Sequence, residues 1–143
     1  PRIRFLGRKT PDELNGYYRG ALGLIVPSVC YETFGIILIE SFRLGTPVIA
    51  RRLGPFPEIV ERAGGGALFS TEDDLIAAMR ALQHEPGARD RMGAAARAAF
   101  EGVWRENRVM AAYGAALARA AHRRGDRALQ QALEGGAFEG GAR

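Results

Sequence analysis

At 143 residues, with 25% charged and 47% hydrophobic side chains, the chain has the composition of one ordinary soluble globular domain, and neither a signal peptide nor a membrane-spanning run can be read in it. The net charge of +4 comes almost wholly from arginine: residues 1–88 are balanced, whereas residues 89–127 carry nine arginines against Asp90, Glu101, Glu106 and Asp126. That excess lacks interleaved aromatics or a binding motif, which excludes nucleic acid as a partner, and the single Cys30 excludes an internal disulfide and suits a reducing, cytoplasmic compartment.

Short apolar runs alternate with helical patterns along the chain, the sequence form of βαβ units around a parallel sheet. A first strand is expected over residues 2–6 (RIRFL). It follows Pro1 with no element before it, so the chain reads as part of something longer. Thr10, with Pro11 just inside and Glu13 three residues on, signals a helix start, and Leu14, Tyr17 and Tyr18 form its apolar side. Further strands are expected at 22–26 (LGLIV), 47–50 (PVIA) and 66–69 (GALF), about four in all. A helix opening at Gly35 should stop at Leu44, because Gly45 can take the left-handed cap conformation and Pro47 cannot continue it. Thr71 and Asp74 form a second capping pair, which accounts for the acidic cluster of residues 72–74 in the first turn of a helix.

After Leu82 no strand is evident. Helices are expected from about Ala88 to Phe100 and from about Glu106 to Arg123, the second with Val109, Tyr113 and Leu117 on one stripe beside Met110. Trp104 reads as an anchor between them. The expected domain runs over residues 1–123, and residues 124–143 have too little apolar content to order themselves, so a flexible tail is expected there.

The chemistry concentrates in "PSVCYETFGIILIESFRLGTPVIA", residues 27–50, an apolar run that carries Glu32 and Glu40. It begins at a strand end and enters a helix at Gly35. Ligands of open parallel sheets bind beyond the carboxyl ends of the strands, where helix N-termini suit phosphate. The N–H groups of Phe34, Gly35, Ile36 and Ile37 are therefore candidate donors, and Gly35 would let a ligand approach the backbone. The two carboxylates are candidate acceptors for sugar hydroxyls. The alternative is that Glu40 pairs with Arg43 along the helix while Glu32 caps its start.

The ordered set of "PS", Glu32, Phe34-Gly35, Glu40, Gly45-Thr46-Pro47-Val48 and Gly-x-x-Pro-Glu (Gly54 to Glu58) resembles the nucleotide-sugar-binding domain of family 4 glycosyltransferases of the GT-B fold, from about residue 2 to Tyr113. The resemblance implies an α/β fold, the Rossmann-like C-terminal half of a GT-B enzyme ending in two to three helices. It implies that Glu40 accepts from the ribose and Glu32 from the transferred sugar. Backbone groups of residues 33 to 37, beginning at Thr33, would meet the diphosphate and sugar, and the loop Arg8, Lys9, Thr10 would border the base. It also implies a retaining transfer from a nucleoside diphosphate sugar to a hydroxyl acceptor, with no metal and no further cofactor. Glu32 is the residue expected nearest the reacting centre.

Departures from the pattern are Pro55 where a glycine is usual, Ser41 for alanine, and Thr33 for glycine or serine. The upstream Arg and Lys that hold the diphosphate in the family, and its N-terminal acceptor domain, are not in this sequence. Acceptor recognition and any membrane association are assigned to that domain, and the chain alone is expected to be inactive. A nucleotide-sugar-binding module without turnover is the competing reading, and a sugar-nucleotide epimerase a third. Cys30 is expected to be a small packed residue, because His84 and His122 lie in distant contexts.

Overall fold

The computed structural model describes residues 3–134. The chain divides into two compact units, Pro1–Phe100 and Glu101–Arg143. The first contains α1 (Pro11–Gly20), β1 (Leu24–Val26), α2 (Ile36–Arg43), β2 (Val48–Arg51), α3 (Phe56–Ala63), β3 (Gly66–Phe69), α4 (Glu72–His84) and α5 (Ala88–Ala99). A π-helical turn, Phe100–Trp104, leads out of α5, and α6 (Glu106–Arg124) and α7 (Arg127–Glu134) belong to the second unit.

The strands lie in the order β1-β2-β3, all parallel, with Leu24 opposite Val48 and Ile49 opposite Ala67. Parallel neighbours need crossover connections, and α2 and α3 supply them. The central strand β2 is buried along Val48, Ile49 and Ala50, as a run of apolar residues covered on both faces should be. Ile49 joins Phe69 and Leu82 in a core cluster flanked by Leu75, Ala78 and Met92. Leu38 and Phe42 of α2 and Phe56 and Val60 of α3 are also buried. The chain is thus α/β, a small parallel sheet flanked by helices.

Both capping pairs form as the sequence indicates. The Thr10 and Thr71 hydroxyls accept from the Glu13 and Asp74 N–H groups, and the two carboxylates accept from the N-cap backbone in return. At the end of α2, Gly45 takes a φ of 69°. The Gly45 and Thr46 N–H groups then donate to the Phe42 and Ser41 carbonyls at 3.0 and 3.1 Å, a Schellman closure. The Ser41 hydroxyl, which departs from the alanine common in the resembled pattern, donates to the Thr46 carbonyl at 2.9 Å, and the Thr46 hydroxyl donates to the Tyr18 carbonyl at 2.7 Å. These buried polar groups tie the turn into β2 to the end of α1.

Three expectations differ from the structure. Residues 3–6, expected within a first strand, form no ladder, and Ile3 and Phe5 are exposed; a strand exists only with a hydrogen-bonded neighbour, so the sheet has three described strands. Residues 56–63, read only as part of a loop motif, form α3. Residues 127–134, expected in the tail, form α7, while residues 135–143 of that tail lie outside the described residues. On α6, which carries the expected stripe, Ala121 is buried and Val109 and Tyr113 are exposed.

Candidate functional site

The loop after β1 rises from Pro27, passes through the exposed Cys30, Tyr31, Glu32, Thr33 and Phe34, and enters α2 at Gly35. Cys30 is therefore not the packed residue expected. An open depression of about 380 Å³ is lined by Tyr31, Glu32, Thr33, Phe34, Gly35 and Ile36. Gly35 is the N-cap of α2 in the left-handed region, φ 76° and ψ 46°, and no side chain caps the helix. The Leu38 N–H turns back to the Gly35 carbonyl at 3.1 Å. The Ile36 and Ile37 N–H groups are left without a side-chain acceptor at the positive end of the helix dipole.

Gly35 itself is buried. A Cβ there would lie 2.9 Å from Phe56 Cε1 and 3.5 Å from Ile59 Cδ1 of α3. Glycine is thus favoured here by its φ and by the aromatic ring behind it. Gly54, at φ 56°, approaches the same loop: a Cβ there would lie 3.6 Å from the Glu32 carbonyl oxygen. The loops following β1 and β2, sequentially distant, therefore meet at the backbone of Glu32.

The Glu32 Oε1 accepts from the Ser28 hydroxyl at 3.2 Å, so this carboxylate is held within its own loop and does not cap α2. In the sequence Ser28 belongs to the "PS" pair, and its spacing of four residues from Glu32 is the one local signal of this contact. Glu40 lies on α2 facing α1, in a smaller depression lined by Pro11, Leu14, Asn15, Tyr18 and Arg43. The expected pairing with Arg43 is not made, because Arg43 Nη2 donates to Asn15 Oδ1 across the two helices at 2.9 Å. Burial first, and then the Glu40 charge, hold the Tyr18 phenol above its ordinary range. The two glutamates thus open onto separate depressions on either side of the α2 start and its following turns.

The loop expected to border the base is engaged in the start of α1. Lys9 Nζ pairs with Glu13 Oε1 at 3.0 Å, and the Thr10 N–H donates to Glu13 Oε2 at 2.9 Å. Those contacts, the Thr10 N–H before the Lys9 ammonium, hold the Glu13 carboxyl below its ordinary value. Arg8 is exposed. At the far side of the sheet Asp74 is held in the α4 cap, and among the described residues no group of three or more His, Cys, Asp or Glu side chains is placed to hold a metal ion.

Residues 1–99 match the family of glycosyl transferases group 1. A D-inositol 3-phosphate glycosyltransferase of Thermobifida fusca is 39% identical over 110 residues, 73% of this chain and 25% of that protein. The protein of the same description from Mycolicibacterium smegmatis is 33% identical over 130 residues, 86% of this chain and 29% of its own length. A sulfoquinovosyl transferase of Arabidopsis thaliana is 34% identical over 98 residues, 65% of this chain and 19% of its own. The chain thus spans between a fifth and a third of the length of these relatives. With a parallel βαβ arrangement whose strand-end loops converge on Glu32, and with the match covering residues 1–99, the chain belongs to the group 1 glycosyl transferases.

Proposed function

We propose that this chain is the donor-binding part of a retaining glycosyltransferase, which moves a sugar from a nucleoside diphosphate sugar to a hydroxyl acceptor without a metal ion. One observation carries the reading: the loops after β1 and β2 meet at Glu32 beside the uncapped start of α2, while Glu40, one helix face away, is left unpaired by Arg43. An uncapped helix N-terminus suits the diphosphate, and free carboxylates suit hydroxyl donors. In this reading Glu40 takes the ribose in the groove against α1, and the N–H groups at 34–37 meet the diphosphate. Glu32 takes the transferred sugar, and residues 8–10 border the base. Helix N–H groups would stabilise the charge that develops on the departing diphosphate.

Acceptor recognition and the cations for the diphosphate are assigned to sequence outside this chain. Two relatives are named for D-inositol 3-phosphate glycosyl transfer and for sulfoquinovosyl transfer, which is compatible with a hydroxyl acceptor here. The compartment proposed is the cytoplasm; no helix among the described residues is long and apolar enough to cross a membrane.

Calorimetric titration of the complete protein separates the two glutamates. Glu40→Gln should weaken a nucleoside diphosphate and its sugar nucleotide by similar factors, because both contain ribose. Glu32→Gln should leave the free diphosphate nearly unaffected and weaken the sugar nucleotide by about 1–3 kcal/mol, the range for a charge-assisted hydrogen bond. Equal effects of both substitutions on both ligands would refute this division of labour. A protein that binds the sugar nucleotide with the expected pattern but transfers nothing to any hydroxyl acceptor would instead be a binding module.

A further inference from the structure

We propose that Arg51 and Ser28 are positioning residues for Glu32, a relay that runs from the end of β3 across the sheet to the donor loop. The inference rests on the assignment of Glu32 to the transferred sugar and adds to it the residues that hold that carboxylate.

The relay starts from strand register. Arg51 is the last residue of β2 and lies directly opposite Phe69, the last residue of β3. Its guanidinium carbon sits 5.0 Å from the centre of the Phe69 ring, within the range of a cation–π contact. Phe69 is 2% exposed and anchored in the core cluster, so it gives the arginine a fixed floor. On the other side, Val26 is opposite Ala50, which brings the next residue of the first strand's trailing loop alongside Arg51. There Arg51 Nε donates to the Pro27 carbonyl at 3.3 Å. Pro27 has no N–H and a fixed φ, so a hold on its carbonyl sets the direction in which Ser28 leaves. The Ser28 hydroxyl then donates to Glu32 Oε1 at 3.2 Å, leaving Oε2 to accept from a ligand hydroxyl.

Both hydrogen bonds lie at or beyond the long end of the usual range, so each orients its partner without carrying much energy. A positioning role follows from that weakness, because fold stability at this exposed loop depends little on either bond. An arginine serves better than a lysine here, since a planar guanidinium can stack on the ring and donate sideways at once.

The test uses the complete protein, titrated with UDP and UDP-glucose and with GDP and GDP-mannose, taking whichever pair binds. Arg51→Gln and Ser28→Ala should each weaken the sugar nucleotide by about three- to tenfold, the effect of losing one long hydrogen bond that orients the carboxylate, while leaving the free diphosphate within about twofold. Ser28→Thr, which keeps the hydroxyl, should restore the sugar-nucleotide affinity. If Glu32→Gln shows the ligand-selective loss but Arg51→Gln and Ser28→Ala weaken both ligands alike, or lower only the melting temperature, the relay is overturned and the donor assignment stands. If Glu32→Gln shows no selectivity, the donor assignment fails and the relay fails with it.

Discussion

An alanine at position 35 would have to adopt a φ near 76° and place its Cβ 2.9 Å from the Phe56 ring. The left-handed backbone costs an L-residue about 1–2 kcal/mol and overpacking a filled core about 1–3 kcal/mol. Gly35→Ala should therefore lower the unfolding free energy of the complete protein by about 2–5 kcal/mol, measured by urea titration. In a Phe56→Leu background the same change should cost at least about 0.5 kcal/mol less, since the steric part is shared between the two positions. Additive effects would show that the ring is not what confines the glycine. The sequence marks Gly35 as special but not why, because Phe56 arrives from the next crossover helix. The same holds for Glu40: its spacing from Arg43 suggests a helical ion pair, and only the approach of Asn15 on α1 draws the arginine away.

The interior glycines of α1 and α5 have opposite consequences. At Gly16 of α1 an added Cβ would meet nothing within 4 Å, whereas at Gly93 of α5 it would run into the Gly45 carbonyl, a backbone atom at the cap of α2. Gly16→Ala should raise stability by about 0.5–1 kcal/mol through helix propensity, and Gly93→Ala should lower it by about 1–3 kcal/mol through overpacking. A stabilising Gly93→Ala would contradict the close seating of α5 on that turn. The cap of α4 adds a pH dependence. The Ser70 and Thr71 N–H groups donate to Asp74 Oδ2 at 3.0 and 2.9 Å, and together with the Thr71 hydroxyl they hold its carboxyl below the ordinary 3.8. The unfolded chain thus binds that proton more readily than the folded one, so the stabilisation is present above about pH 4 and is lost as pH falls through the folded value. Asp74→Asn should shift the urea midpoint downward near neutral pH, and the gap to the parent should narrow as pH falls below about 4; a gap unchanged with pH would exclude the carboxylate as its source. Thr10 and Thr71 were legible because a capping box is a local pattern. Helix α3 was hidden by Pro55 and Pro57, although proline is tolerated in a first turn and Phe56, Ile59, Val60 and Ala63 recur at helical spacing. The run at residues 2–6 misled in the opposite sense: alternation specifies a strand-like face, but only a neighbour supplies the ladder.

For the whole molecule, the decisive property is how much of a transfer site lies in these residues. Everything that binds the donor in the proposed reading sits between Arg8 and Glu40, on the loop before α1, the loop after β1 and the first turns of α2. The described cations nearest the sheet end are already engaged: Arg51 with Pro27 and Phe69, and Arg52 with Glu61 at 2.9 Å. The chain also spans about a quarter of the length of its relatives from Thermobifida fusca and Mycolicibacterium smegmatis. The 143-residue chain by itself should therefore bind a nucleoside diphosphate weakly and transfer no sugar. Incubation with labelled sugar nucleotides and a panel of hydroxyl acceptors, with circular dichroism confirming the α/β content, measures this directly. Label transfer or release on the order of 1 per second or faster, the range of an ordinary enzyme, would mean that this chain already holds both substrates and that the division into donor and acceptor parts is wrong.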